Sequence, residues 1–280
     1  MKNNMIIGGC IASLFVLAII LITITTSAAG GGSVSASAGS PTVSHNWYYK
    51  PTKDHSQPVV ADDAPFIDNY NTIYMGDPDS NKLYITFDMG YENGYTETIL
   101  DALKEHGVKA AFFVTGHYVS SAPDIVCRMA NEGHLVCNHT LLHKDMTSPT
   151  DELWEEEVYG LEESYREATG RDMPKYIRPP EGVYSEAFLD YATENGYTTV
   201  FWSFAYKDWL VDDQPSRQEA VSTIMERTHP GSIILLHGTS ATNAEIMSDI
   251  IEQWCDDGYT FGTLDELAQT HGHSPVPTPK

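Results

Sequence analysis

Side chains able to do hydrolytic chemistry stand at matched places along this sequence. His139 and His143 are four residues apart with Thr140 between them. One helical turn or a wide loop at that spacing brings two imidazoles to one cation. The carboxylates Asp88 and Asp208 and a third imidazole, His237, are groups that take and give protons. Arg178 carries the planar fork that suits a carboxylate partner. A lone His after a strand is more often a satisfied structural residue than a ligand, so no single position is persuasive. The weight lies in five ionisable residues that fall at five equivalent points of a repeating pattern.

That pattern consists of the elements that must position them. From Leu83 the sequence alternates short apolar runs with helical stretches that end in glycine. LYITF, AAFFVTG, HLVCNH, KYIRPP, TTVFWSFA, SIILLH and YTFGTL read as strands. The helices read as YTETILDALKEHG, APDIVCRMANEG, DELWEEEVYGLEESYREATG, SEAFLDYATENG, SRQEAVSTIMERTHPG and NAEIMSDIIEQWCDDG. Apolar strands alternating with helices specify parallel βα units, and about seven of them approach the number that closes a barrel. An open doubly wound sheet is the competing architecture. Asp88 ends the first strand, His139 the third, Arg178 the fourth and His237 the sixth, while Asp208 follows the fifth. In parallel βα folds these carboxyl ends share one rim.

The rest of the chain frames this unit. Lys2 precedes an apolar run from Met5 to about Thr26, followed by Ser27, Ala28 and Ala29. Residues 1–29 therefore read as a signal peptide or as an N-terminal membrane anchor, since the run is about long enough to span a bilayer. Either way the body is expected outside the cytoplasm, secreted or held at the outer face of the membrane. Cys10 comes too early in the run for a lipoprotein signal. Residues 30–46 are a flexible Gly/Ser/Ala linker, 47–82 a lead-in that packs on the domain, 83–268 the catalytic domain and 269–280 a flexible tail. Asp and Glu total 39 against 16 Lys and Arg, a formal charge of -23, which argues against nucleic acid as a partner. A monomer is expected. Cys127, Cys137 and Cys255 read as buried free thiols facing a core rather than as a disulfide or zinc framework.

TFDMG at 86–90, HTLLH at 139–143, RPPEG at 178–182, DW at 208–209 and LLH at 235–237 resemble, in order, the five motifs of the polysaccharide deacetylases. This is the NodB-homology family, carbohydrate esterase family 4. TFDMGYENGY, FWSFAYKDW and the aromatic lead-in from Trp47 resemble one branch more specifically. Its members are the peptidoglycan N-acetylmuramic acid deacetylases, which supply muramic delta-lactam in the spore cortex. The resemblance implies a distorted (β/α)7 barrel with parallel strands and hydrolysis of N-acetyl groups on peptidoglycan strands. It implies Asp88 as general base, Arg178 as the arginine that orients it, His237 as general acid and Asp208 as the carboxylate that holds His237. It further implies His139 and His143 as ligands of a divalent metal, zinc being expected, and Trp209, Pro180, Gly182 and Tyr184 at the substrate. His134, His106 and His117 match no motif.

One position departs from the family. Where its members usually carry a metal-binding aspartate, this chain has Met89, whose soft thioether is a poor substitute on zinc. Three outcomes stay open: two histidines plus waters hold the metal, a neighbour such as Glu92 supplies an oxygen, or the metal binds too weakly to work. The alternatives to a muramic acid deacetylase are accordingly a deacetylase of N-acetylglucosamine in peptidoglycan or chitooligosaccharides, and a degenerate module that binds wall glycan without turnover.

Overall fold

The computed structural model describes residues 41–271. The readings for residues 1–29, for most of the linker and for most of the tail lie outside the described residues. Strand Lys82–Met89 is the centre of the fold. Its period-2 alternation sorts side chains to two different environments. Leu83, Ile85, Phe87 and Met89 pack under helices Thr96–Glu105 and Ala241–Asp256. Tyr84 joins an inner cluster with Ala111, Phe113, Cys137 and Tyr176. Thr86 and Asp88 share that inner face.

The strand order fits a curled barrel wall. Ala111–Val114, Leu135–Asn138, Tyr176–Ile177 and Thr198–Val200 follow one another outward on one side of Lys82–Met89, all parallel. Ile233–His237 lies on its other side, also parallel. A doubly wound sheet reverses its order about a switch point, whereas here the winding keeps one direction. The segment 198–205 links the two sides: Thr198–Val200 pairs with Tyr176–Ile177, and Phe204–Ala205 pairs with Ile233–His237. The seventh predicted strand is reduced to Thr260–Phe261, beside the start of Lys82–Met89. Helix Leu264–Thr270, unforeseen from sequence, packs Leu264, Leu267 and Ala268 into the inner cluster.

The lead-in is built into the domain, and so is the end of the segment 30–46 read as a flexible linker, where His45–Asn46 forms a strand. His45–Asn46 pairs antiparallel with Val183–Tyr184, and Thr72–Ile73 adds a parallel strand beside Thr198–Val200. Trp47 stacks on Phe201 with ring centroids 4.2 Å apart and donates its indole N–H to Trp202 O at 2.8 Å.

One reading is refined and one corrected. The helix expected from residue 151 to Gly170 runs unbroken to Thr169, with Asp151–Trp154 and Gly160–Thr169 joined by a π turn, Glu155–Tyr159. Cys127, Cys137 and Cys255 are free thiols, but only Cys137 is buried. Cys127 is half-buried and Cys255 exposed, because Trp254 takes the core-facing position at the end of its helix.

Candidate active site

The carboxyl ends of the strands gather the five residues at one rim. Asp88 and His237 are direct register partners on neighbouring parallel strands, so their side chains start from the same face. Arg178 follows Tyr176–Ile177 and is completely buried. Its Nη1 donates to Asp88 Oδ1 at 2.6 Å, Nη2 to Thr86 Oγ1 at 3.0 Å, and Nε to Val200 O at 3.0 Å. The guanidinium also lies over the Phe113 ring, 4.1 Å from its centroid. A buried charge needs this degree of pairing to be tolerated. Burial opposes ionisation of Asp88, but the Arg178 guanidinium, with His139 and His237, outweighs it and holds the carboxyl below the usual carboxylate range.

His237 is held on its far side. Asp208 Oδ1 accepts from its Nδ1 at 2.7 Å, and Asp208 Oδ2 accepts from its backbone N–H at 2.8 Å. Asn243, in the first turn of Ala241–Asp256, donates its amide to Asp208 Oδ2 at 2.6 Å and to His237 O at 3.2 Å. Gln214 Nε2 donates to Asp208 O at 2.7 Å. Burial works against an imidazolium here, yet the Asp208 carboxylate prevails and raises the pKa of His237 above the ordinary histidine value. With Nδ1 committed to Asp208, Nε2 is the atom available to a substrate.

His139 Nδ1 lies 2.9 Å from Arg178 O, which can only accept, so the ring proton sits on Nδ1 and the Nε2 lone pair is free. That lone pair faces Asp88 Oδ2 at 3.6 Å. Two acceptors opposed at that distance define a place for a cation or a proton donor. Burial pushes His139 down to about 4, which keeps it in the neutral form that ligates metals. The His143 ring stands 4.9 Å from it, centroid to centroid. The residues present therefore fit a divalent cation held by two imidazoles, with its other positions open to water and substrate.

Among the described residues, neither Met89 nor Glu92 supplies a third protein ligand. Met89 is fully buried on the helix-facing side of its strand, and its thioether lies against Gly238. The Glu92 carboxylate is bound by Thr96 Oγ1, by Tyr118 O–H at 2.7 Å and by Gly94 N–H at 2.6 Å, so it is occupied in starting helix Thr96–Glu105. Among the described residues, no group of three His, Cys, Asp or Glu side chains gathers to hold a metal.

The cavity above these groups measures about 600 Å³ and is lined by Asp88, His139, His143, Trp209 and His237, joined by Glu181 and Trp202. Trp209 is 49% exposed, and its ring centroid is 5.6 Å from that of His237, so it is a wall of the site and not a core residue. The other three residues expected at the substrate are placed elsewhere. Pro180 and Gly182 are buried beneath the rim, and Trp202 and Trp47 close over Gly182. Tyr184 turns inward with the strand that pairs His45–Asn46 and packs among His45, Trp47 and Phe201. Glu181, between Pro180 and Gly182, is the residue of this stretch that reaches the cavity, from a left-handed backbone at φ 58°. Sequence reasoning missed it, along with Trp202, Thr86 and Asn243. Thr86 was findable, because it lies two residues before Asp88 on the same strand face.

The chain is similar in sequence and in fold to known proteins. The family model for polysaccharide deacetylase matches residues 75–200. The peptidoglycan-N-acetylmuramic acid deacetylase PdaA of Bacillus subtilis is 40% identical over 223 residues, covering 79% of this chain and 85% of that protein. A peptidoglycan-N-acetylglucosamine deacetylase of Bacillus cereus is 34% identical over 222 residues, covering 76% and 79%. The solved structure of Bacillus subtilis PdaA, a family 4 carbohydrate esterase, superposes with a TM-score of 0.78 at 38% identity, covering 82% of this chain and 99% of that one.

Proposed function

Given that this chain belongs to the polysaccharide deacetylase family, carbohydrate esterase family 4, we propose that it removes N-acetyl groups from peptidoglycan amino sugars, N-acetylmuramic acid first among them. The observation that carries this reading is the pair of oppositely poised groups, Asp88 with Arg178 and His237 with Asp208, on adjacent strands beside the imidazoles of His139 and His143.

Asp88 stays ionised beside Arg178 and takes the proton from the attacking water. The oxygen of that water forms the new bond to the acetyl carbon. His237, kept protonated by Asp208, gives the Nε2 proton to the departing nitrogen as the C–N bond breaks, leaving acetate and the free amine. A divalent metal on His139 and His143 supplies Lewis-acid polarisation of the acetyl carbonyl when bound. Trp209 walls the side of His237 and restricts how the sugar ring enters. A second cavity of about 630 Å³ meets the first at Gly90 and His143, giving room for more than one sugar of a strand.

The acetyl-bearing substrate and the apolar run after Lys2 together support action outside the cytoplasm, by a secreted or membrane-anchored protein. The muramic acid assignment draws on the 40% identity to PdaA. Mass spectrometry of treated peptidoglycan tests it: the muramic acid residues should each lose an acetyl group. Loss confined to glucosamine residues would transfer the assignment to the glucosamine deacetylases. Glycan binding without any acetyl loss would support a noncatalytic module, the reading that Met89 alone favours.

A further inference from the structure

The loop that presents His139 and His143 is held in a conformation that its own residues disfavour. Thr140 and His143 both lie in the left-handed region, at φ 66° and 58°, where non-glycine residues persist only if their surroundings impose it. Several of the contacts that impose it come from the π turn Glu155–Tyr159. Leu141 N–H donates to Glu157 O at 2.8 Å, and Asn138 Nδ2 donates to Val158 O at 3.0 Å. Both accepting carbonyls belong to the π turn, a deviation from α geometry that recurs at functional sites. Asn138 Oδ1 in turn accepts from Thr140 N–H at 2.9 Å.

The same turn contributes a side chain. Glu157 is fully buried, its Oε2 accepts Leu142 N–H at 2.8 Å, and its Oε1 lies 3.3 Å from Lys144 Nζ. Leu142 and Lys144 flank His143 directly. A buried carboxylate is costly unless paired, and the proton transfers assigned to Asp88 and His237 make no use of this one. We infer that Glu157 is the positioning residue of the metal pair: it holds the backbone N–H of Leu142 before His143 and the side-chain ammonium of Lys144 after it, and so fixes that imidazole against His139. The inference rests on the proposed metal-assisted reading of this loop. With Met89 turned away, no third protein ligand among the described residues compensates for a loose His143, so the affinity depends on how well the pair is preorganised.

The test is a cobalt(II) titration of the metal-stripped full chain, followed by visible absorption, with thermal unfolding of the metal-free protein as the control for folding. Glu157→Ala, and Glu157→Asp with its carboxylate one methylene short of Leu142, should each weaken cobalt binding about ten- to a hundredfold, the usual effect of losing a group that supports a ligand. Glu157→Gln keeps an acceptor for Leu142 N–H and should bind within a few-fold of the parent. If the alanine variant does not fold, the aspartate variant carries the test. Parental affinity in a folded alanine or aspartate variant overturns the inference, as does a glutamine variant as weak as alanine. A parent that binds cobalt but releases no acetate contradicts the deacetylase reading and leaves the titration to decide the role of Glu157. A parent that binds no cobalt overturns both.

Discussion

Asp88 and His237 are neighbours on adjacent strands, yet their surroundings push their protonation in opposite senses. Arg178 lowers the pKa of Asp88, so the base form survives to lower pH. Asp208 raises the pKa of His237, so the acid form survives to higher pH. The activity profile should therefore be bell-shaped, lost on the acid side as Asp88 protonates and on the alkaline side as His237 deprotonates. Asp208→Asn removes the charge that holds His237 protonated. Its alkaline limb in kcat/KM should move to lower pH, and activity should fall by about 10²-fold or more. An unmoved alkaline limb would mean that His237 is not the acid. Asn243 and Gln214, which hold Asp208, were not legible in the sequence. An amide in a helix or a loop carries no chemical signature until the fold shows what it touches.

At the scale of elements, the strand ends were legible and their exceptions were not. Period-2 alternation along Lys82–Met89 puts Thr86 and Asp88 inside and Met89 outside under the helices, so the strand that delivers the base also withdraws the thioether. The turn at RPPEG misled for a local reason. Gly182 at φ 67° redirects the chain, so Tyr184 is drawn into the core and Glu181 is left at the cavity. The π turn at Glu155–Tyr159 leaves no compositional trace, because its residues are ordinary helix formers whose widening is set by the loop they support. Opposite that turn, Gly116 begins helix Gly116–Ser121 and donates its N–H to Leu141 O at 3.1 Å. A Cβ at Gly116 would stand 2.7 Å from Leu141 O and 2.4 Å from Leu141 Cδ1. Because a backbone atom cannot swing away, Gly116→Ala should destabilise the protein by about 1–3 kcal/mol, as overpacking does, and weaken cobalt binding. Denaturant midpoints with and without metal measure both effects. An alanine variant unchanged in both would show that the loop is not fixed from this side.

For the molecule as a whole, the parallel wall and its rim followed from alternating apolar strands and glycine-ended helices, whereas the lead-in did not. Its strands are two residues long, too short for any local periodicity to mark them, and Thr72–Ile73, like His45–Asn46 at the end of the linker, takes its partner from a distant part of the chain, at Thr198–Val200 and Val183–Tyr184 respectively. The buried His134 contributes to how the fold responds to acid. Burial pushes His134 from 6.5 down to about 4, and its Nδ1 accepts Ala110 N–H in the neutral form. Between those values the unfolded chain binds the proton and the folded one does not, so stability is present above 6.5 and lost as pH falls toward 4. The full shift corresponds to ~3 kcal/mol. His134→Gln should flatten the decline of urea midpoints over that window, and an unchanged slope would place the acid sensitivity elsewhere. The central claim, that Asp88 and His237 serve amide hydrolysis on peptidoglycan, is tested most directly by acetate release. The full chain supplied with zinc or cobalt and muramoyl peptidoglycan should release acetate, and Asp88→Asn, still folded, should reduce the rate by about 10²- to 10⁴-fold. No acetate from the parent with any of several divalent metals, or equal release from Asp88→Asn, would contradict the account.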